Sequence, residues 1–170
     1  MLYLGCSNTA NGRAFAASSQ RLRQLLEAVR QAAPSKPVFL KVAPFPDRCS
    51  LDSFLEQVDG VPVVRGFDIN LPPGKVAPLR TPADRLHSMP GAVSGQPCRA
   101  SMDTALAELY SRMDRKRYCL IGTGGVFDGA AAYRKIRLGA SLVQFSPHWS
   151  ILSSAQPAPT RAARRNTRRE

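Results

Sequence analysis

The chain has few of the features that mark secreted, membrane-spanning or metal-stabilised proteins. It contains no run of about 18 apolar residues, so we expect no membrane-spanning helix. Its start lacks the basic and apolar segments of a secretory signal. The four cysteines lie far apart and form no CxxC pair, so we expect neither a zinc site nor a disulfide framework. These absences favour a reducing, cytoplasmic protein without a metal.

Acidic residues are scarce, and this leaves a net charge of +12. Residues 156–170 contain five arginines and one glutamate, so this short segment alone supplies +4. Basic tails bind phosphate backbones without sequence specificity, and no recognition motif accompanies this one. We therefore expect no specific nucleic-acid binding. The composition predicts a disordered, Arg-rich tail over 150–170 after a single folded domain over 1–149.

What the sequence does contain is a regular alternation of strand and helix patterns. Its order predicts β-α-β-α-β-loop-α-β-α-β and therefore a parallel α/β sheet. Both an open doubly wound sheet and part of an eight-stranded barrel satisfy this order, and the chemistry favours the barrel. The predicted strands are "MLYLG", "KPVFLKVAP", "GVPVV", "YCLIG" and "SLVQF". The predicted helices cover 18–33, 49–58, 101–113 (capped by Ser101) and 128–139 (capped by Asp128), and 66–100 is predicted as a long functional loop.

Unusual residues follow nearly every predicted strand, where parallel α/β folds bind ligands. Gly124 and Gly125 precede a helix, so their turn suits a phosphate, although a tight turn without a ligand explains them equally well. Lys41 interrupts an apolar strand, which predicts an anionic group nearby unless the side chain reaches solvent at the strand end. Ser94 and Gly95 form a predicted tight turn near the same rim.

The sequence resembles the flavoprotein dihydroorotate dehydrogenases, above all their class 2 branch. The matching segments are "CSNT", "PVFLKVAP", "GAVSGQP", "ELYSRM" and "LIGTGGVFDGAAAYRKIRLGASLVQ", in the family's order and spacing. The resemblance runs from about Tyr3 to Gln144 and is most specific in the last segment.

This resemblance implies a TIM (β/α)8 barrel, here a partial one of about five strands, that binds FMN. The implied reaction is oxidation of dihydroorotate to orotate in pyrimidine (UMP) biosynthesis, with quinone as electron acceptor. Lys41 would contact the flavin ring and stabilise negative charge at its N1/O2 edge. Gly95, Gly124 and Gly125 would line the FMN and its phosphate.

The resemblance also implies the substrate residues. Asn8 and Asn70 would hold the pyrimidine, although asparagine is also common in turns. Cys6 aligns with the base that removes the C5 proton, with Ser7 in place of a proline. A shift of one residue gives this role to Ser7 instead, and both assignments stay open.

The chain also departs from the family pattern. Tyr3 stands where the family has an asparagine, and Ser146 and Pro147 replace a Tyr-Ser pair that helps to hold the phosphate. The resemblance begins at what would be the fourth barrel strand, and five strands cannot close a barrel. We therefore expect open sheet edges that favour self-association, and weak or no FMN binding.

Three alternatives to this function stay open. They are an inactive fragment, another FMN-barrel oxidoreductase and, less favoured, a nucleic-acid binder acting through its basic tail. The expected location is the cytoplasm, at the membrane periphery if the N-terminal segment of class 2 enzymes precedes the chain.

Overall fold

Five parallel strands form one sheet in a computed structural model that describes residues 1–4, 18–69, 72, 74–75, 79–89 and 91–145. The strands are β1 (Leu2–Tyr3), β2 (Val38–Val42), β3 (Val64–Ile69), β4 (Cys119–Thr123) and β5 (Leu142–Gln144). Their order in the sheet is β1-β2-β3-β4-β5, and every neighbouring pair is parallel. The order never reverses, whereas a doubly wound sheet reverses at its switch point. The prediction of a parallel α/β arc of barrel type is confirmed.

Helices connect the strands. They are α1 (Ser19–Ala32), α2 (Arg48–Asp59), α3 (Ala83–Ser88), α4 (Arg99–Arg112) and α5 (Gly129–Arg137), and a 3-10 turn (Gln96–Cys98) precedes α4. The first two long helices begin where an oxygen side chain accepts a backbone N–H. Ser18 Oγ accepts from Arg21 N, and Asp47 Oδ1 accepts from Ser50 N at 2.7 Å. Within the described residues, no helix is long and apolar enough to cross a bilayer.

Alternate side chains on the strands pack against the helices and form the core. The buried strand residues Leu40, Phe67 and Leu120 lie on one face of the sheet, together with apolar side chains from α1, α2 and α4. The opposite face, which we call the inner face, is less covered. It carries Tyr3, Phe39, Lys41, Asp68, Cys119, Ile121, Thr123, Leu142 and Gln144, of which only Asp68 is fully buried. This asymmetry is expected of strands in a β/α barrel, where helices surround only the outside.

The third strand lies further along the chain than the sequence predicts. The segment "GVPVV" is largely a turn, in which Val61 N donates to Val58 O and Val64 N donates to Val61 O. The strand instead covers Val64–Ile69. Consequently the predicted 66–100 loop is wrong at its start, and α3 and the 3-10 turn interrupt the rest of it.

The start of α4 also differs from its prediction. The helix begins at Arg99, and Cys98 occupies the cap position. Ser101 lies inside the first turn, where its hydroxyl donates to Cys98 O at 2.9 Å. Serine inside a helix can donate its hydroxyl back to a preceding carbonyl of the chain. The two additional residues bring Arg99 next to the turn that follows β4.

Candidate functional site

Lys41 and Asp68 form an ion pair on the inner face, near the carboxyl ends of β2 and β3. They are register partners on adjacent parallel strands, and Lys41 Nζ lies 3.0 Å from Asp68 Oδ2. The Lys41 side chain is 19% exposed, whereas that of Asp68 is fully buried. The predicted anion beside Lys41 is therefore present, and it comes from the protein itself.

Asp68 also connects this pair to the two strands beyond it. Thr123 Oγ1, near the end of β4, donates to Asp68 Oδ1. Gln144 Oε1 on β5 lies 3.4 Å from the same Thr123 hydroxyl. The Thr123 hydroxyl has one proton, and it donates this proton in the hydrogen bond to Asp68. The side-chain amide of Gln144 would therefore extend the hydrogen-bond chain by donating its N–H to the Thr123 oxygen. Polar side chains thus form a line across β2, β3, β4 and β5.

The paired glycines form the turn after β4, at the same edge of the sheet. Gly124 and Gly125 have φ of 84° and 69°, values that residues other than glycine rarely adopt. A Cβ added to Gly125 would lie 2.7 Å from Arg99 Cβ and 2.8 Å from Arg99 Cα. The turn therefore requires glycine both for its backbone conformation and for its close approach to the start of α4.

Gly95 belongs to the same cluster, and Cys98 connects it to the glycine turn. Cys98 Sγ contacts Gly95 O at 3.0 Å, and a Cβ on Gly124 would lie 3.6 Å from that sulfur. A Cβ on Gly95 would lie 3.5 Å from Phe127, just beyond the turn. The structure thus brings together the three glycines that the sequence predicts as cofactor-binding.

Two cationic side chains, Arg99 and Lys135, lie beside this cluster. Arg99 Nε donates to Gly125 O at 2.9 Å, and its Nη2 is buried without a hydrogen-bond partner among the described residues. Lys135 on α5 is 1% exposed and pairs with Asp103 Oδ1 at 2.8 Å. Burial raises the pKa of the Cys98 thiol and Lys135 opposes this rise, so the thiol is neutral near pH 7.

The first turn of α5 is less available to an anion than its sequence predicts. Asp128 Oδ1 accepts from Ala131 N at 2.6 Å, which confirms Asp128 as the cap and also occupies that N–H. A carboxylate at this position opposes a second negative charge beside it. The turn itself and Arg99 would therefore stabilise an anion at the glycine turn more than the N-terminus of this helix would.

The predicted catalytic and substrate-binding residues fall outside the part of the chain that the structure describes. Cys6, Ser7, Asn8 and Asn70 lie outside the described residues, and so do the departures at 146–147 and the predicted tail at 150–170. Their predicted roles stay predictions. Lys41, Gly95, Gly124 and Gly125 are described. The last three lie together, and Lys41 lies two strands away, about 10 Å along the sheet.

Three residues at this edge of the sheet were not predicted from the sequence as functional. Asp68 lies in the segment predicted as a loop, Thr123 follows a predicted strand end, and Arg99 precedes the predicted start of its helix. For Asp68 a signal existed, because a lysine predicted inside an apolar strand requires a nearby anion. Nothing in the local pattern distinguishes Arg99 from the other arginines.

The fold and the site define a class of protein. A sequential parallel β/α sheet, with polar groups and a glycine turn at its carboxyl edge, is part of a (β/α)8 barrel with its ligand-binding rim. The chain belongs to the dihydroorotate dehydrogenase family, whose model, described as "Dihydroorotate dehydrogenase", matches residues 1–153. Membership of this family implies a flavin cofactor.

Individual relatives agree with this family. The chain is 34% identical over 138 residues to a dihydroorotate dehydrogenase (quinone) of Acidithiobacillus ferrooxidans, covering 78% of this chain and 34% of that protein. It is 36% identical over 123 residues to the protein of the same name from Bradyrhizobium diazoefficiens, covering 69% and 32%. The chain thus spans about a third of the length of the curated relatives it matches.

A solved structure supports the fold. The ligand-free DHODH of Eimeria tenella matches 84% of this chain and 44% of its own length, with a TM-score of 0.71 and 21% identity. The DHODH of the same organism in complex with ferulenol gives a TM-score of 0.68 at 19% identity.

Proposed function

We propose that this chain binds FMN at the carboxyl edge of its sheet and serves in the oxidation of dihydroorotate to orotate, a step of pyrimidine biosynthesis. The observation that carries the proposal is the combination of the glycine turn, the Arg99 guanidinium beside it and the Lys41 ammonium on one edge. The curated relatives are named for this oxidation and for a quinone acceptor.

The described residues fit FMN at both ends of the molecule. Gly124 and Gly125 form a turn with positive φ at both residues, and Arg99 Nη2 beside it is a buried donor without a hydrogen-bond partner among the described residues, so the two suit a phosphate. Gly95 would line the same end of the cofactor. Lys41, two strands away, would donate to the electronegative N1/O2 edge of the flavin ring.

The bound flavin would supply the hydride acceptor, and the chain would supply the proton acceptor and the substrate contacts. We assign removal of the C5 proton to Cys6 or Ser7, either of which needs desolvation and orientation to act as a base. Asn8 and Asn70 would offer amide donors and acceptors to the pyrimidine. We propose quinone as the final electron acceptor and the cytoplasm as the location, at the membrane periphery if the N-terminal segment of class 2 enzymes precedes the chain.

The cofactor proposal is tested by titrating FMN and riboflavin separately into the full chain while flavin fluorescence is recorded. We expect weak, saturable quenching, with FMN bound more tightly than riboflavin because only FMN carries the phosphate. Arg99→Gln should abolish most of this preference, since a hydrogen bond from a charged donor contributes about 1.5–3 kcal/mol. Arg21→Gln, at an exposed position on α1, is the matched control and should retain the preference.

Two outcomes would count against the proposal. The absence of saturable quenching with either flavin would reject FMN binding by this chain. Equal affinities for FMN and riboflavin would reject the phosphate site. Inhibition by orotate tests the identity of the substrate separately, because an FMN-barrel oxidoreductase acting on another substrate would not be inhibited by orotate.

A further inference from the structure

Asp68 carries a negative charge that the fold compensates almost entirely with Lys41. Its side chain is fully buried, and no aligned hydrogen bond reaches Oδ2 from the described residues. The ammonium of Lys41 lies 3.0 Å from that oxygen. Thr123 donates a neutral hydrogen bond to the other oxygen. Lys41 is therefore the one full positive charge that the described contacts bring to this carboxylate.

The two charges depend on each other, but they are not equally exposed. An isolated buried carboxylate is costly, so Asp68 requires its partner. Lys41 is partly exposed and would tolerate water or a ligand in place of Asp68. To any ligand that approaches Lys41, the pair presents little net charge. The ammonium can still donate hydrogen bonds, but the attraction it would exert on an anion is largely cancelled.

We propose that Asp68 is an internal counter-ion that makes the Lys41 site select against anionic ligand groups and in favour of neutral acceptors. Asp68 is then a positioning residue, because it acts through Lys41. For the flavin, a consequence that rests on the proposed function, Asp68 weakens the preference of the site for the negatively charged reduced ring over the neutral oxidised ring.

The test compares two reagents that deliver the same acetyl group to an amine. N-hydroxysuccinimidyl acetate is neutral, and its sulfonated analogue is an anion of similar shape. If one reagent carries a deuterated acetyl group, mass spectrometry gives the ratio of the two products at each lysine. The ratio at one lysine cancels that amine's own reactivity. Exposed Lys36 in the same chain is the internal reference.

In Asp68→Asn, the ratio of acetyl groups from the anionic reagent to those from the neutral reagent should rise about fivefold at Lys41 relative to Lys36. The reason is that a negative charge beside Lys41 has been removed. Thr123→Val is the matched control. It removes a hydrogen bond from the same carboxylate but keeps both charges, so its ratio should equal that of the wild type. A role that is only structural would change total acetylation in both variants and leave the ratios alike. An unchanged ratio in Asp68→Asn overturns the proposal.

A second measurement decides the matter if circular dichroism shows that Asp68→Asn does not fold. In the wild type, Lys41 should discriminate against the sulfonated reagent more strongly than Lys36 does, and equal discrimination overturns the proposal. Neither measurement requires a flavin. Failure of FMN to bind therefore rejects the proposed function and leaves the counter-ion to be judged on the acetylation ratios.

Discussion

At the scale of single residues, Gly125 is a position where one added methyl group should disturb the site. Alanine there would adopt a φ of 69° and place its Cβ 2.7 Å from Arg99 Cβ. We expect Gly125→Ala to lower the free energy of unfolding by about 2 kcal/mol, since such a backbone conformation costs about 1–3 kcal/mol in other residues. Urea denaturation measures this change.

The control for this prediction lies four residues further along the chain. An added Cβ at Gly129 would meet nothing within 4 Å, and this residue begins α5. Gly129→Ala should therefore be neutral or slightly stabilising, because alanine loses less backbone entropy than glycine. Similar losses of stability in the two variants would show that the glycine turn is not under the steric constraint described above.

The residues of the site were predictable to different degrees. Lys41 could be recognised because a charge inside an apolar strand is costly, and the same reasoning predicted an anion nearby. The identity of that anion could not be predicted, because Asp68 is 27 positions away and only the register of β2 with β3 brings it to Lys41. Pairing between strands is a tertiary property that local spacing does not encode.

At the scale of secondary-structure elements, α5 depends on the cap that Asp128 provides. Its Oδ1 accepts from Ala131 N at 2.6 Å, at the end of the segment that begins with the glycine turn. Asp128→Ala should lower the free energy of unfolding by about 1 kcal/mol, the usual loss for such a cap. Asp128→Asn keeps an oxygen acceptor and should retain most of the stability. If asparagine loses as much as alanine, the charge rather than the hydrogen bond stabilises the helix.

Most helices were predictable, and the exceptional strand explains why prediction fails near a site. Helices α1, α2 and α5 combine apolar periodicity with a capping side chain, and both signals are local. Strand β3 carries Arg65, Gly66 and Asp68, which interrupt the continuous apolar run that is typical of a buried parallel strand. Asp68 points to the inner face because its register partner in β2 is Lys41, whose side chain lies on that face. Asp68, which gives the strand its chemical role, is thus one of the residues that make the strand hard to recognise in the sequence.

At the scale of the whole molecule, the strand order distinguishes between the two architectures that the sequence allows. A reversal between neighbouring strands would have placed helices on both faces, and no reversal occurs among the five described strands. The inner face therefore stays less covered, and among the described strands β1 and β5 each pair with one neighbour. The polar line from Lys41 to Gln144 and the apolar Leu142 share this face.

The exposed apolar surface of the inner face leads to a prediction about assembly. Leu142 on β5 is 55% exposed, and an edge strand with an apolar side chain favours association with another chain. We expect the protein to self-associate with increasing concentration in sedimentation velocity experiments. Leu142→Lys should weaken this association, because a charge at the contact must be desolvated. Ile136→Lys removes a similarly exposed side chain, 46%, from α5 and should leave it unchanged. If both variants dissociate equally, the contact is not specific to the inner face, and a monomer at every concentration would reject the assembly itself.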